Sequence, residues 1–316
     1  MRCTPIHWLL LWLKGMAMGA ADLVPGVSGG TIAFISGIYE ELLGSLKCLT
    51  PAALVVWHRQ GFSAFWQYIN GAFLITLFGG VLTSVFVLAR LVERALSEYP
   101  ELLWGFFFGL ILVSIIYIAK QLPLIRPGIW LAMTLGCLVA LGISMAKPVA
   151  LPGLWWLMFL AGSFAICAMI LPGISGSFLL LLMGMYPVVL EALAEFNWWL
   201  LMWFALGCVS GLTAFSHILS WLLRSYRGQT LAVLTGFLLG SLNIVWPWKH
   251  TLESLAGRHG EEIPLVQENV LPGAYYLATG HDPQTLGVIL LALLGACLLL
   301  GLEYISVGVK LRESSV

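Results

Sequence analysis

A proline-glycine turn set inside apolar sequence has few places to go in a folded chain, and this chain carries it twice. Residues 25–31 read PGVSGGT and residues 172–177 read PGISGS. The match holds in one register: Pro25 with Pro172, Gly26 with Gly173, Ser28 with Ser175, Gly29 with Gly176, Gly37 with Gly184 and Tyr39 with Tyr186. Gly15 with Gly162 and Ala21 with Ala168 extend it upstream. Non-helical backbone at membrane depth survives only where protein or water satisfies its polar groups. Two such breaks predict two repeats whose interrupted helices meet near the bilayer midplane.

Composition makes the bilayer the relevant solvent. Hydrophobic residues make up 60% of the chain and charged ones 9%, with a mean hydropathy of +0.96. A soluble core of 316 residues cannot hide that much apolar surface. Lys plus Arg and Asp plus Glu each count 15, so no basic excess points to nucleic acid. The six cysteines, Cys3, Cys48, Cys137, Cys167, Cys208 and Cys297, are scattered singly, with no CxxC and no clustered His. They read as small packing residues, and neither a metal nor a cofactor is expected. No small-residue cleavage site followed by soluble sequence succeeds the apolar N-terminus, so it is read as part of the mature protein.

A hydrocarbon core of roughly 30 Å takes about 20 apolar residues per helix. Residues 3–22 form an apolar run up to the first turn, and 30–46 a helical run leaving it. An amphipathic connection at 51–65 precedes spans at 68–92, 101–119 and 128–146. The second half repeats the order: 153–171 leads to the turn, 177–195 leaves it, and spans follow at 198–223, 229–247 and 284–309. GFFFG at 105–109 is echoed by GFLLG at 236–240, and Gly80 by Gly211. The expected fold is an all-α polytopic membrane protein of two inverted-topology repeats, 1–147 and 148–316. Each repeat is a broken or re-entrant helical hairpin plus three transmembrane helices.

Orientation follows from Lys and Arg in short loops. Lys310, Arg312, Arg224, Arg227, Lys120, Arg126, Lys47 and Arg59 go inside, whereas 93–100, 188–197 and the acidic connection 248–283 go outside. The first hairpin then dips in from the cytoplasm and the second from the opposite side, with both termini cytoplasmic. Lys147 and Arg94 fall on the disfavoured side.

Ser28 is placed as a helix N-cap, leaving the amides of Gly29, Gly30 and Thr31 to point at a ligand. Ser175, Gly176, Ser177 and Phe178 repeat the pattern. Helix N-termini favour anions, each acting as roughly half a positive charge. A phosphate monoester carries about two negative charges, so a cation is needed, with Lys14 the first candidate and Arg90 the second. The expected binding set is Lys14, Pro25, Gly26, Ser28, Gly29, Gly30, Thr31, Pro172, Gly173, Ser175, Gly176 and Ser177. Lys14, Asp22, Glu40 and Glu41 correspond to Ala161, Met169, Pro187 and Val188, so ionisable groups gather in the first half. Such groups inside a membrane are costly and usually functional. Asp22, Glu40 and Glu41 are therefore candidates for coupling to protons or sodium, and Asp22 equally for a partner of Lys14 or a turn cap. Against these stand structural roles: Lys14 snorkelling to the interface, Tyr39, Tyr186, Trp155, Trp156, Trp198 and Trp199 as interfacial anchors, His217 as a packing residue rather than a relay, and 248–283 as a solvated connection.

KGMAMGAADLVPGVSGGTIAFISGIYEELL at 14–43, with ILPGISGSFLLLLMGMY at 170–186, resembles the signature of the bacterial undecaprenyl phosphate translocases of PopT type, a family first catalogued as a domain of unknown function. The resemblance spans essentially the whole chain. It implies a protein of the bacterial inner membrane that returns a polyprenyl phosphate carrier from the periplasmic to the cytoplasmic leaflet for reuse in cell-wall synthesis. The residues alone stop at a transporter of some anion. A channel or exporter for a small anion uses the same amides, and a lipid phosphatase needs a nucleophile, an acid/base and phosphate-clamping Arg or His in mutual reach. The turns hold no Arg, so no enzyme is expected. A homodimer is compatible with this architecture.

Overall fold

The computed structural model describes residues 5–24, 27–123, 125–149, 151–256 and 262–314, without the side chains of 253–256, 262–266 and 302–314. Helices dominate. The first half holds α1 (Pro5–Asp22), α2 (Gly29–Ile35), α3 (Tyr39–Leu46), α4 (Pro51–Gln60), α5 (Phe62–Tyr68), α6 (Gly71–Glu98), α7 (Pro100–Ala119) and α8 (Pro127–Ser144). The second holds α9 (Trp155–Ile170), α10 (Gly176–Leu182), α11 (Met185–Ala194), α12 (Trp198–Ser225), α13 (Arg227–Ser241), β1 (Lys249–Ala256), β2 (Glu262–Asn269), α14 (Pro272–Thr279) and α15 (Thr285–Ser314).

Among the described residues, α6, α7, α8 and α12 are each long and apolar enough to cross a membrane. The pair α10–α11 has the same composition but is bent by 106° at its break. The protein is thus a multi-pass helical membrane protein. Its outward surfaces agree, since Phe86, Leu112, Leu131, Leu135, Leu138 and Val209 are exposed along these helices, as hydrocarbon-facing positions should be.

Four long helix pairs form the scaffold: α1 lies along α6, α9 along α12, α8 along α13 and α7 along α15. Each pair runs parallel and closes on glycine. A Cβ on Gly15 would meet the Leu77 carbonyl oxygen at 2.1 Å, and one on Gly162 the Phe204 carbonyl oxygen at 2.3 Å. The two GxxxG segments do corresponding work, with Gly105 and Gly109 against Val288 and Ala292 of α15, and Gly236 and Gly240 against Met133 and Cys137 of α8. Lipid tails give helices no hydrophobic reason to associate, so close backbone approach through small residues supplies the contact.

Several expectations change. The runs leaving the two turns are not continuous helices, because Gly37 (φ 72°) and Gly184 (φ 64°) adopt the left-handed conformation that glycine takes without steric cost and split them into α2–α3 and α10–α11. The 51–65 connection is two helices, α4 and α5, whose exposed Leu54, Val55, Trp57 and Phe62 suit an interface. The described part of the 248–283 connection has regular structure: β1 and β2 pair antiparallel and α14 follows. Tyr39 is buried, not interfacial, whereas Trp155, Trp156, Trp198 and Trp199 stand exposed at the starts of α9 and α12. Arg94 forms a local ion pair with Glu98 at 2.8 Å, which offsets its charge. The side chains of Lys310 and Arg312 lie outside the described residues.

Candidate functional site at the junction of the two turns

The turns meet. The last carbonyls of a helix have no partner within it, and α9 ends inside the protein at the second turn. Two hydroxyls from the first hairpin satisfy its end: Ser28 Oγ donates to the Met169 carbonyl at 2.9 Å and Tyr39 Oη to the Ile170 carbonyl at 3.0 Å. In return the Gly173 amide donates to Thr31 Oγ1 at 2.8 Å. Gly30 makes the approach possible, since a Cβ there would sit 2.5 Å from the Met169 oxygen and 2.7 Å from that of Ile170. Gly173 itself is left-handed (φ 83°).

The first turn does not present the free amides expected of it. Asp22 Oδ1 accepts from the Gly29 amide at 2.6 Å, Ser28 Oγ from the Gly30 amide at 3.1 Å, and the Ser28 carbonyl from the Thr31 amide at 2.9 Å. The positive end of α2 thus faces a carboxylate and the carbonyls of α9, which suits its dipole. A Cβ on Gly29 would collide with the Asp22 carboxylate at 2.5 Å, so this glycine makes room for Asp22. At the second turn Ser175 is the N-cap residue of α10 but makes no capping bond, and its Oγ lies 2.9 Å from Ser177 Oγ instead. Ser175, Gly176 and Pro172 are buried and Ser177 is exposed. Pro25 and Gly26 lie outside the described residues.

Lys14 is not at the turns. Its Nζ donates to the Ser36 carbonyl at 2.7 Å, at the opposite end of α2 from Asp22. Seven helical residues span about 10 Å, and the eight positions from Lys14 to Asp22 about 12 Å, so one phosphate cannot touch both ends. Of the roles open to Asp22, its bond to the Gly29 amide is that of a turn cap, while Lys14 bonds the Ser36 carbonyl. Lys14 instead lines a cavity of 170 Å³ between α1, α2, α7 and α15, whose other walls include Ile32, Phe106, Leu110 and Leu298. This is a single ammonium in a hydrocarbon-lined hollow. Arg90 is exposed on α6. Gly19 packs on Val81 and Ser84, which puts Arg90 roughly one turn past the level of Asp22.

The remaining candidates have other partners. Glu40 pairs with Arg227 at 2.8 Å, joining α3 to α13, and Glu41 accepts from Asn70 Nδ2 at 3.1 Å. His217 is exposed and its Nδ1 lies 2.8 Å from the Thr213 carbonyl, a local helical contact. No group of three or more His, Cys, Asp or Glu that could hold a metal occurs among the described residues. Sequence reasoning missed Tyr39 and Thr31 as links between the hairpins. The available signal was the polarity of two groups buried in an apolar interior, since buried hydroxyls seek partners.

Comparison with known proteins places the chain in a family. The family model described as undecaprenyl phosphate translocase-like matches residues 18–263. A Vibrio cholerae protein named polyprenyl-phosphate transporter is 49% identical over 298 residues, covering 94% of this chain and 97% of the relative. A Staphylococcus aureus protein of the same name is 32% identical over 253 residues, covering 74% and 85%. No solved structure matches the chain. The matched region contains both turns, and the chain belongs to the undecaprenyl phosphate translocase-like family of membrane proteins.

Proposed function

We propose that this protein carries undecaprenyl phosphate, or a closely related polyprenyl phosphate, from the periplasmic to the cytoplasmic leaflet of the bacterial inner membrane, without chemical change to the lipid. The observation that carries the reading is the turn junction: two interrupted helices from different halves, cross-bonded by hydroxyls. The helix pairs support an inverted repeat of 1–147 and 148–316. Exchanging the halves turns the α1–α6 pair into α9–α12, and α8–α13 into α15–α7, all of which occur.

The head group is held in stages. On the side of the second turn the phosphate meets the start of α10 near Ser175, Gly176 and Ser177. The amides of Gly29, Gly30 and Thr31 join only when the first turn loosens, because Asp22 and Ser28 hold them. Protonation of Asp22 removes the competing charge, which links proton uptake to phosphate binding. Lys14 is the next station toward the cytoplasm, its cavity pairing one cation with walls that tolerate a prenyl chain. The tail stays in lipid throughout. Both termini are cytoplasmic in this reading.

Reconstitution tests it. Proteoliposomes should exchange labelled undecaprenyl phosphate between leaflets faster than empty vesicles, with no release of inorganic phosphate. Folded protein that gives no exchange above the empty vesicles rejects the proposal.

A further inference from the structure

A larger hollow lies away from the turns, where the α7–α8 connection meets the start of α13. It measures about 510 Å³, and Gln121, Arg126, Arg227 and Gln229 supply its polar wall. Lys120 and Arg224 stand exposed just outside it in the sequence, so short-loop charge puts this face in the cytoplasm. The parallel helices α8 and α13 both begin here, neither with a side-chain cap, and Gly128 has open space around it. Arg227 already grips an oxyanion in this position: its Nη2 and Nη1 reach the two Glu40 carboxylate oxygens at 2.8 and 3.4 Å. Arg126 has no ion-pair partner among the described residues. At the other end of the scaffold, where α7 meets α15, Trp248, Tyr275 and Val288 pack into a buried cluster.

We propose that this cytoplasmic hollow is a second anion site, taking a phosphate monoester head group between Arg126 and Arg227, with Arg227 shared between the ligand and Glu40. Arginine's planar fork suits a phosphate held by two oxygens, and basic pockets between membrane helices on the cytoplasmic side take lipid head groups. Two guanidinium groups match the charge of about minus two on a monoester better than the single charge of a phosphodiester. Glu40 competes for the same guanidinium and keeps the site partly self-neutralised when empty. The site stands on residues apart from the turn junction and goes beyond the proposed reading of it.

The test uses full-length protein in detergent with radiolabelled decyl phosphate, in a Lys14→Ala background so that the internal cavity does not contribute. Arg126→Gln with Arg227→Gln should weaken binding by roughly tenfold or more, Arg→Lys at both should fall in between, and Glu40→Gln should tighten it several-fold. The gain in Glu40→Gln is a result that misfolding does not produce. Inorganic phosphate that competes in proportion to its concentration supports the same chemistry with a soluble source. Equal binding in the double-Gln and parent proteins overturns the proposal, as does equal competition by phosphatidylglycerol. Leaflet exchange measured alongside keeps the two ideas separate: loss of exchange with intact decyl phosphate binding faults the turn junction only.

Discussion

Substituting Gly30 by Ala places a methyl group in the seam between the two hairpins. Its Cβ would lie 2.5 Å from the Met169 oxygen and 2.7 Å from that of Ile170, and both are backbone atoms that no rotamer change can move aside. Restoring an ordinary contact requires the two backbones to part by roughly 0.7–0.9 Å. The three hydrogen bonds spanning the seam, at 2.9, 3.0 and 2.8 Å, would then stretch past the usual limit of about 3.2 Å. At about 1 kcal/mol each their loss costs roughly 3 kcal/mol, to which overpacking adds about 1–3 kcal/mol. Gly44→Ala is the matched control, since a Cβ there meets nothing within 4 Å and alanine improves helix propensity by up to about 1 kcal/mol. Thermal unfolding of the detergent-solubilised proteins should place Gly30→Ala well below wild type and Gly44→Ala at or above it. Equal melting of the two variants would show that the seam is not held as described.

Four further outcomes follow from the same contacts. Asp22→Asn removes the charge facing the Gly29 amide while keeping an acceptor, so lipid phosphate binding should strengthen and the pH dependence of exchange should flatten; an unchanged pH profile would remove Asp22 from coupling. Lys14→Ala should weaken polyprenyl phosphate binding by about tenfold, read as a loss of roughly one charged hydrogen bond in a competition assay, and full retention would assign Lys14 to the end of α2 alone. Tyr275→Phe deprives buried Glu101 of the hydroxyl that donates to it and should cost about 1–3 kcal/mol, whereas Tyr276→Phe, at an exposed position, should cost nothing measurable in the same unfolding assay. Burial pulls the Lys249 ammonium of the β-hairpin down to about 7 from 10.5, against the opposing pull of the Trp104 ring 3.7 Å away. A lowered lysine value means the unfolded chain binds more protons between those values, so stability should rise as pH increases from about 7 toward 10. Lys249→Met should lose that slope, and equal slopes in the two proteins would contradict it.

Much of the scaffold was legible because the bilayer leaves few options. Apolar runs of at least about 20 residues marked α6, α7, α8 and α12, whereas GFFFG and GFLLG were legible only as an internal echo, and the structure shows them pressing on α15 and α8. The turn register found Gly37 and Gly184 as equivalents, but their effect depends on φ, which a glycine permits without announcing. The β-hairpin was missed because KHTLESLA lacks the apolar–polar alternation of a strand and sits among charges that also suit a solvated loop. At the site, the described residues of the two turns do adjoin, through Ser28, Thr31 and Gly173, but the Gly29 and Gly30 amides read as open to a ligand bond Asp22 and Ser28. Asp22 is seven residues from Gly29, and only the tertiary fold shows that its carboxylate reaches back to that amide. Arg126 and Arg227 served only as markers of topology, since nothing in their spacing of about a hundred residues says that two connections share one hollow.

The most direct test of the central claim is leaflet exchange of labelled undecaprenyl phosphate by wild type and Gly30→Val reconstituted side by side, with folding of each verified by size-exclusion chromatography. The account predicts exchange by wild type above empty vesicles and none by the variant. Wild-type vesicles no faster than empty ones, or equal exchange by a folded Gly30→Val protein, would contradict passage of the head group through the joined turns.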